Sequence, residues 1–172
     1  MNTVPADVRL ETYVRGASMK AIVDAGAKVN RALEAGAYAV GANVSITELP
    51  GYLPVHHHAP LDEVVYRNLC SLFGEEHTEC ISTWDGGSTD AGNISQLLPT
   101  VHAYIAASKG GMHGRDYEII DKETAYLTTA KALIMSAIDL LADGAKTGLE
   151  VKGSFRPLMT KEEYLKNWGH ID

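Results

Sequence analysis

The chain has 172 residues, 45% hydrophobic and 22% charged, with a formal net charge of -7. That is room for one real core or two small ones, and acidic and basic residues interspersed along the chain exclude the basic footprint that DNA or RNA binding requires. Two cysteines, Cys70 and Cys80, in no CxxC spacing point to a reducing, cytoplasmic setting. No basic-then-apolar leader is present, and the apolar tracts stop short of the roughly 20 residues that span a bilayer, so no membrane anchor is expected.

Val8, Leu10, Thr12 and Val14 alternate with Arg9, Glu11, Tyr13 and Arg15, a period of two that predicts a strand with one buried face. Gly16 ends it, and Ser18 is placed to cap a helix along which Ile22, Val29, Leu33, Ala37 and Val40 recur on one side. That helix stops near Gly41. NVSITEL then predicts a second short strand through Val44 and Ile46, closed by Pro50 and Gly51. The first fifty residues therefore read strand, helix, strand.

His56, His57 and His58 lie in the following loop. Pro60 suits the first turn of a helix, where its missing amide is not needed, and Leu61, Val64, Val65, Leu69 and Leu72 make that helix amphipathic up to Gly74. Ile81 to Trp84 leave a short strand open. After the small-residue run GGSTDAGNIS, a buried strand is predicted over Thr100 to Ile105, with Pro99 confined to its start. A second glycine loop, SKGGMHGRDYE, precedes Asp121, which is placed to cap a helix whose Leu127, Ile134, Ile138 and Leu141 form a stripe. Ala130 and Ala137 allow close packing there, and Asp143 and Gly144 end the helix. Thr160 and Glu163 stand in capping-box spacing before a short helix through Tyr164, Leu165 and Trp168.

Several residue groups carry chemistry. Gly86, Gly87, Ser88, Thr89 and Asp90 offer consecutive amides and a hydroxyl, a concavity suited to a carboxylate; the alternative is a tight turn in which Asp90 caps the next segment. His113 sits in a flexible glycine loop from which an imidazole can reach a cleft, and His102 is a rival ligand. Three adjacent histidines on an extended segment point in alternating directions, so His56, His57 and His58 do not readily share one tetrahedral ion. A site assembled across an oligomer from His113, His102, Asp85, Asp90 or the triple histidine is a further option. Neither a GxSxG elbow nor a P-loop is present.

The run GGSTDAGNISQLLPTVHAYI, followed by the glycine turn around His113 and a long alanine-rich helix, resembles the zinc-dependent family that includes aminoacylases and carboxypeptidase G. Within that family it is most similar to the aminobenzoyl-glutamate hydrolase and dipeptidase branch. NTVPADVRLETYVRGAS, at the start, looks like the family's Asn-x-Ile/Val-Pro segment and the next strand of its lid domain. The likeness runs collinearly from Asn2 to Leu141.

The resemblance implies a mixed α/β chain in two parts: residues 1–53 as the second half of a ferredoxin-like, dimerising lid, and residues 54–172 as the C-terminal part of a catalytic domain, a sheet flanked by helices. It implies that His113 is a metal ligand and that Asn2, Gly87, Ser88 and Thr89 face substrate. It implies zinc or another divalent metal in the complete enzyme, with the other ligands supplied by an N-terminal half. Such a centre needs four to six ligands and a carboxylate base, so the chain alone is expected to lack hydrolytic activity on a peptide-like or N-acyl amino acid substrate. The expected partners are a second copy or a complementary N-terminal half. The alternative is a non-catalytic oligomerisation or binding module.

Overall fold

The computed structural model describes residues 5–84 and 86–168. It divides into two compact units, Met1–Leu49 and Pro50–Asp172. The architecture is mixed helix and sheet: five α-helices and one small antiparallel ladder among the described residues.

In the first unit, α1 (Met19–Ala39) begins at Ser18, whose Oγ accepts the Ala21 amide at 3.3 Å, and ends before Gly41 at φ 70°. Ile22, Val29, Leu33 and Ala37 are half-buried, and Asn30 Nδ2 donates to Glu48 Oε1 at 2.6 Å, tying the helix to the segment after it. The strand predicted over Val8–Val14 and the one through Val44 and Ile46 are both extended chain without ladder partners, and Leu10 and Tyr13 are exposed. Alternation specifies two faces of a strand but supplies no neighbour to pair with.

In the second unit, α2 (Ala59–Phe73) carries Pro60 at its second residue and stops at Gly74, φ 89°. It packs on α4 (Thr129–Ser154), which is led in by a π-helical turn over Glu123–Thr128. Asp121 caps that turn: its carboxylate accepts the Thr124 amide at 3.0 Å and the Thr124 hydroxyl at 2.6 Å. These two bonds hold its pKa below the usual carboxylate value.

The α2–α4 contact corrects the expected stripe. Leu127, Ile134, Ile138 and Leu141 are 59%, 59%, 58% and 71% exposed, and the face turned to α2 is Ala132 and Ser136. The contact is polar at its centre: buried Asn68 donates to Val64 O at 3.1 Å, Ser136 Oγ at 3.3 Å and Asp139 Oδ2 at 2.9 Å. Small residues let the helices approach, and the amide then needs partners because nothing else there can solvate it.

Helix α4 breaks where Asp143 and Gly144 predict a stop. Asp143, Gly144 and Ala145 all lie in the left-handed region, at φ 51°, 70° and 60°, and helix resumes beyond them. By length and composition alone the run Glu123–Ser154 is apolar enough to cross a membrane, with mean hydropathy 1.3 over its best window. Its apolarity is thus more evenly spread than separate tracts reveal.

The strand predicted over Thr100–Ile105 is another correction. It is extended but pairs with nothing among the described residues, and His102, Ala103 and Tyr104 are exposed, not buried. Ile81–Trp84 likewise forms no strand. The sheet consists of β1 (Ser108–Lys109) and β2 (Glu118–Ile119), antiparallel, with Lys109 opposite Glu118. The SKGGMHGRDYE loop is therefore the tip of a hairpin. At the C-terminal end, α5 (Lys161–Trp168) has the expected capping box, Thr160 and Glu163 each bonding the other's amide at 2.7 and 3.1 Å.

Candidate functional site

The glycine run and the histidine segment meet in one polar core. Helix α3 (Asp90–Ser95) starts at Thr89, whose Oγ1 accepts the Ala91 amide at 3.2 Å; Asp90 Oδ1 accepts the same amide at 3.0 Å. Thr89 is the capping residue and Asp90 the first of the helix, one position off the turn alternative. Gly92 then lies against the chain at Leu53, so closely that a Cβ would collide with the Leu53 carbonyl oxygen.

That approach lets α3 hold the incoming segment by its backbone. Asn93 Oδ1 accepts the Leu53 amide at 2.7 Å, and Ser95 Oγ accepts the His56 amide at 2.8 Å while donating to Gly92 O at 2.6 Å. Gln96 Nε2 donates to Pro54 O at 2.8 Å. Ser95 and Gln96 are 0% and 2% exposed. Leu158 closes the arrangement from the C-terminal side, donating its amide to Gln96 O at 2.9 Å. The second half of the GSTDAGNIS run is thus a clamp on residues 53–56. Sequence reasoning missed this role; the signal was a Gly-Asn-x-Ser-Gln cluster too polar for an apolar core and too short of charge for a surface loop.

The clamp sets the three histidines in alternating directions, as their extended backbone dictates. His56 and His58 face Phe155, with ring centroids 5.7 and 5.3 Å from it. His58 is buried, its Nε2 3.1 Å from Val151 O and 3.2 Å from Ser154 Oγ. His57 points away, its Nδ1 3.6 Å from Asp62 Oδ2. Burial raises the Asp62 pKa above 3.8 and outweighs the opposing pull of His57, while Asp62 Oδ1 is buried with no hydrogen-bond partner among the described residues.

On the substrate-facing residues, Gly87 O accepts the Trp84 indole N–H at 2.9 Å, and Ser88 and Thr89 are half-buried at the head of α3. Asn2 and Asp85 fall outside the described residues.

His113 is exposed at the hairpin tip, in a turn in which the Gly114 amide donates to Gly111 O at 2.7 Å. Its φ of 65° is left-handed, a conformation that costs a non-glycine residue about 1–3 kcal/mol. The Lys109–Glu118 ion pair at 2.8 Å and the Ser108–Tyr117 hydroxyl contact at 2.8 Å close the hairpin beneath it. Among the described residues no three His, Cys, Asp or Glu side chains come together in a metal-binding group, so His113 and His102 are not joined to Asp90 or the triple histidine. The residues present do not by themselves fit a divalent metal.

No family model matches the chain, and no solved structure matches it. Among curated proteins it is similar to the Xaa-Arg dipeptidase of Mus musculus, 28% identical over 154 residues covering 81% of this chain and 34% of that protein. It is also similar to the Xaa-Arg dipeptidase of Homo sapiens, 31% identical over 147 residues with the same coverage of 81% and 34%. The chain spans about one third of the length of the curated relatives it matches. That similarity relates the chain to the peptidases and amidohydrolases as a class.

Proposed function

We propose that this chain is the C-terminal part of a cytoplasmic, metal-dependent amidohydrolase or peptidase that hydrolyses the amide bond of a small peptide-like substrate. The observation that carries the reading is the similarity to two dipeptidases over 81% of the chain. In the complete enzyme, zinc or another divalent ion would supply an activated water. His113 gives one ligand, and its left-handed turn on a closed hairpin fixes the imidazole's position without help from a partner. Gly87, Ser88, Thr89 and Asn2 face the substrate, where amides and hydroxyls suit a carboxylate. Residues 1–53 serve as half of a ferredoxin-like lid. Their two extended segments flank a helix as in a split β-α-β arrangement, which needs a further strand between them.

The remaining ligands and the general base come from an N-terminal half, and the chain alone is inactive. Co-expression with such a half should yield stoichiometric zinc and amidase activity, both lost in His113→Ala. Full activity in His113→Ala, or a folded complex that takes up no zinc, overturns the reading. A second reading is favoured by the absence of a three-ligand cluster among the described residues: a non-catalytic oligomerisation or binding module. It requires a stable homo-oligomer that binds no metal and gains no activity from any added half.

A further inference from the structure

The second unit presents two unpartnered features of complementary kind. One is the stripe Leu127, Ile134, Ile138 and Leu141 on α4, each residue more than half exposed. The other is the extended segment 101–106, whose backbone makes no hydrogen bond with the described residues although it runs directly into β1. An apolar helix face calls for an apolar surface to cover it, and a row of unpaired N–H and C=O groups calls for a strand edge. An aliphatic-faced β-sheet with a free edge satisfies both at once, because a helix packs on the face of the sheet its neighbouring strand joins.

The exposed area says how large the occupant is. The chain exposes 13287 Å², whereas a folded chain of this length exposes about 8,200 Å² and two separately folded units of these sizes about 9,700 Å². The excess, roughly 3,500 Å² on the more generous reference, is more than the about 1,000–2,500 Å² that an obligate homodimer covers on each subunit. A second copy is too small to account for it. A lipid bilayer covers the α4 stripe but leaves the amides and carbonyls of 101–106 unpaired, at several kcal/mol per group.

We infer that the α4 stripe and segment 101–106 together form a docking face for a β-sheet, supplied by polypeptide equivalent to the part of the relatives that this chain does not span. This rests on the functional reading above, yet it concerns assembly and not chemistry. The test co-expresses the full chain with the mouse Xaa-Arg dipeptidase polypeptide lacking its aligned 154 residues, with the mouse protein's own aligned segment as the positive arm. Hydrogen exchange is then measured on the purified complex.

A one-to-one complex is expected in which the amides of 101–106 and 127–141 are protected at least a hundredfold over the chain alone. Ile134→Asp and Ile138→Asp, and separately Ala103→Pro and Tyr104→Pro, whose amides point to opposite edges, should each weaken the complex at least tenfold. They should leave the thermal melt of the isolated chain unchanged. The inference is overturned by failure of the complex to form, by a complex that leaves those segments unprotected, by a homodimer that protects them equally, or by uptake onto neutral phosphatidylcholine vesicles that protects 127–141 alone. A protected but inactive complex counts against the hydrolase reading and leaves this one standing; an active complex with 101–106 unprotected does the reverse.

Discussion

The α3 clamp and the α4 stripe lie in the same unit and contradict the usual expectation in opposite ways. At the clamp, glycine, serine, asparagine and glutamine are the buried residues, while on α4 a regular row of leucine and isoleucine faces outward. The difference is one of completeness. Around α3 every backbone group of residues 53–56 that turns inward meets a side chain of the same chain, so burial of polar atoms is offset by hydrogen bonds. Around α4 the covering surface is not contributed by the described residues, and an apolar stripe records only that some surface belongs there.

That comparison can be broken at its strong side first. Gly92→Ala places a methyl group against the Leu53 carbonyl and should destabilise the chain by about 4 kcal/mol, the range of severe overpacking at a rigid contact. Urea unfolding followed by tryptophan fluorescence would show it, and a loss below about 1 kcal/mol would mean that α3 does not hold residues 53–56. Next comes Asn68→Ala, which leaves Ser136 and Asp139 without their shared donor between α2 and α4. A loss of about 2–3 kcal/mol is expected in the same assay.

Asp62 gives a smaller, pH-dependent effect. Because burial raises its pKa above 3.8, the folded chain holds this proton more tightly than the unfolded chain. The contribution to stability is therefore fully present below about pH 3.8 and is lost as pH rises through the folded pKa. Asp62→Asn should raise the urea midpoint at pH 7 and leave it unchanged at pH 3; the same shift at both pH values would remove the buried carboxylate as the cause. The smallest effect sharpens the weak side. Ile134→Asp in the isolated chain should change stability by less than about 0.5 kcal/mol, since the residue is already exposed. A large loss would show that the stripe is buried after all.

Local signals in the sequence proved legible where they needed no distant partner. Ser18, Asp121 and the Thr160–Glu163 pair cap the helices they were placed to cap. Gly74 and the Asp143–Gly144 pair end helices because their backbones leave the right-handed helical region, and the alternation of the three histidines follows from extended geometry alone. Strands at Val8–Val14, Val44–Ile46 and Thr100–Ile105 did not form, because a strand exists only in a ladder and no alternation pattern specifies its neighbour. The clamp was illegible for the opposite reason. Its contacts join residues 39 to 42 positions apart, and its small polar residues carry no periodic mark. His113 was located in its loop by residue type, but the left-handed turn that presents it was visible only in the backbone.

The alternation of His56, His57 and His58 also has a practical consequence at the bench. Three consecutive imidazoles are half of a common purification tag, and an untagged preparation would be expected to cling to immobilised nickel. Here one ring is buried against Phe155 and bonded near Val151 and Ser154, a second is half-buried on the same side, and the third stands alone across the chain beside Asp62. The folded chain should elute from such a resin as a protein with a single surface histidine at that place, and the urea-unfolded chain should be retained more strongly.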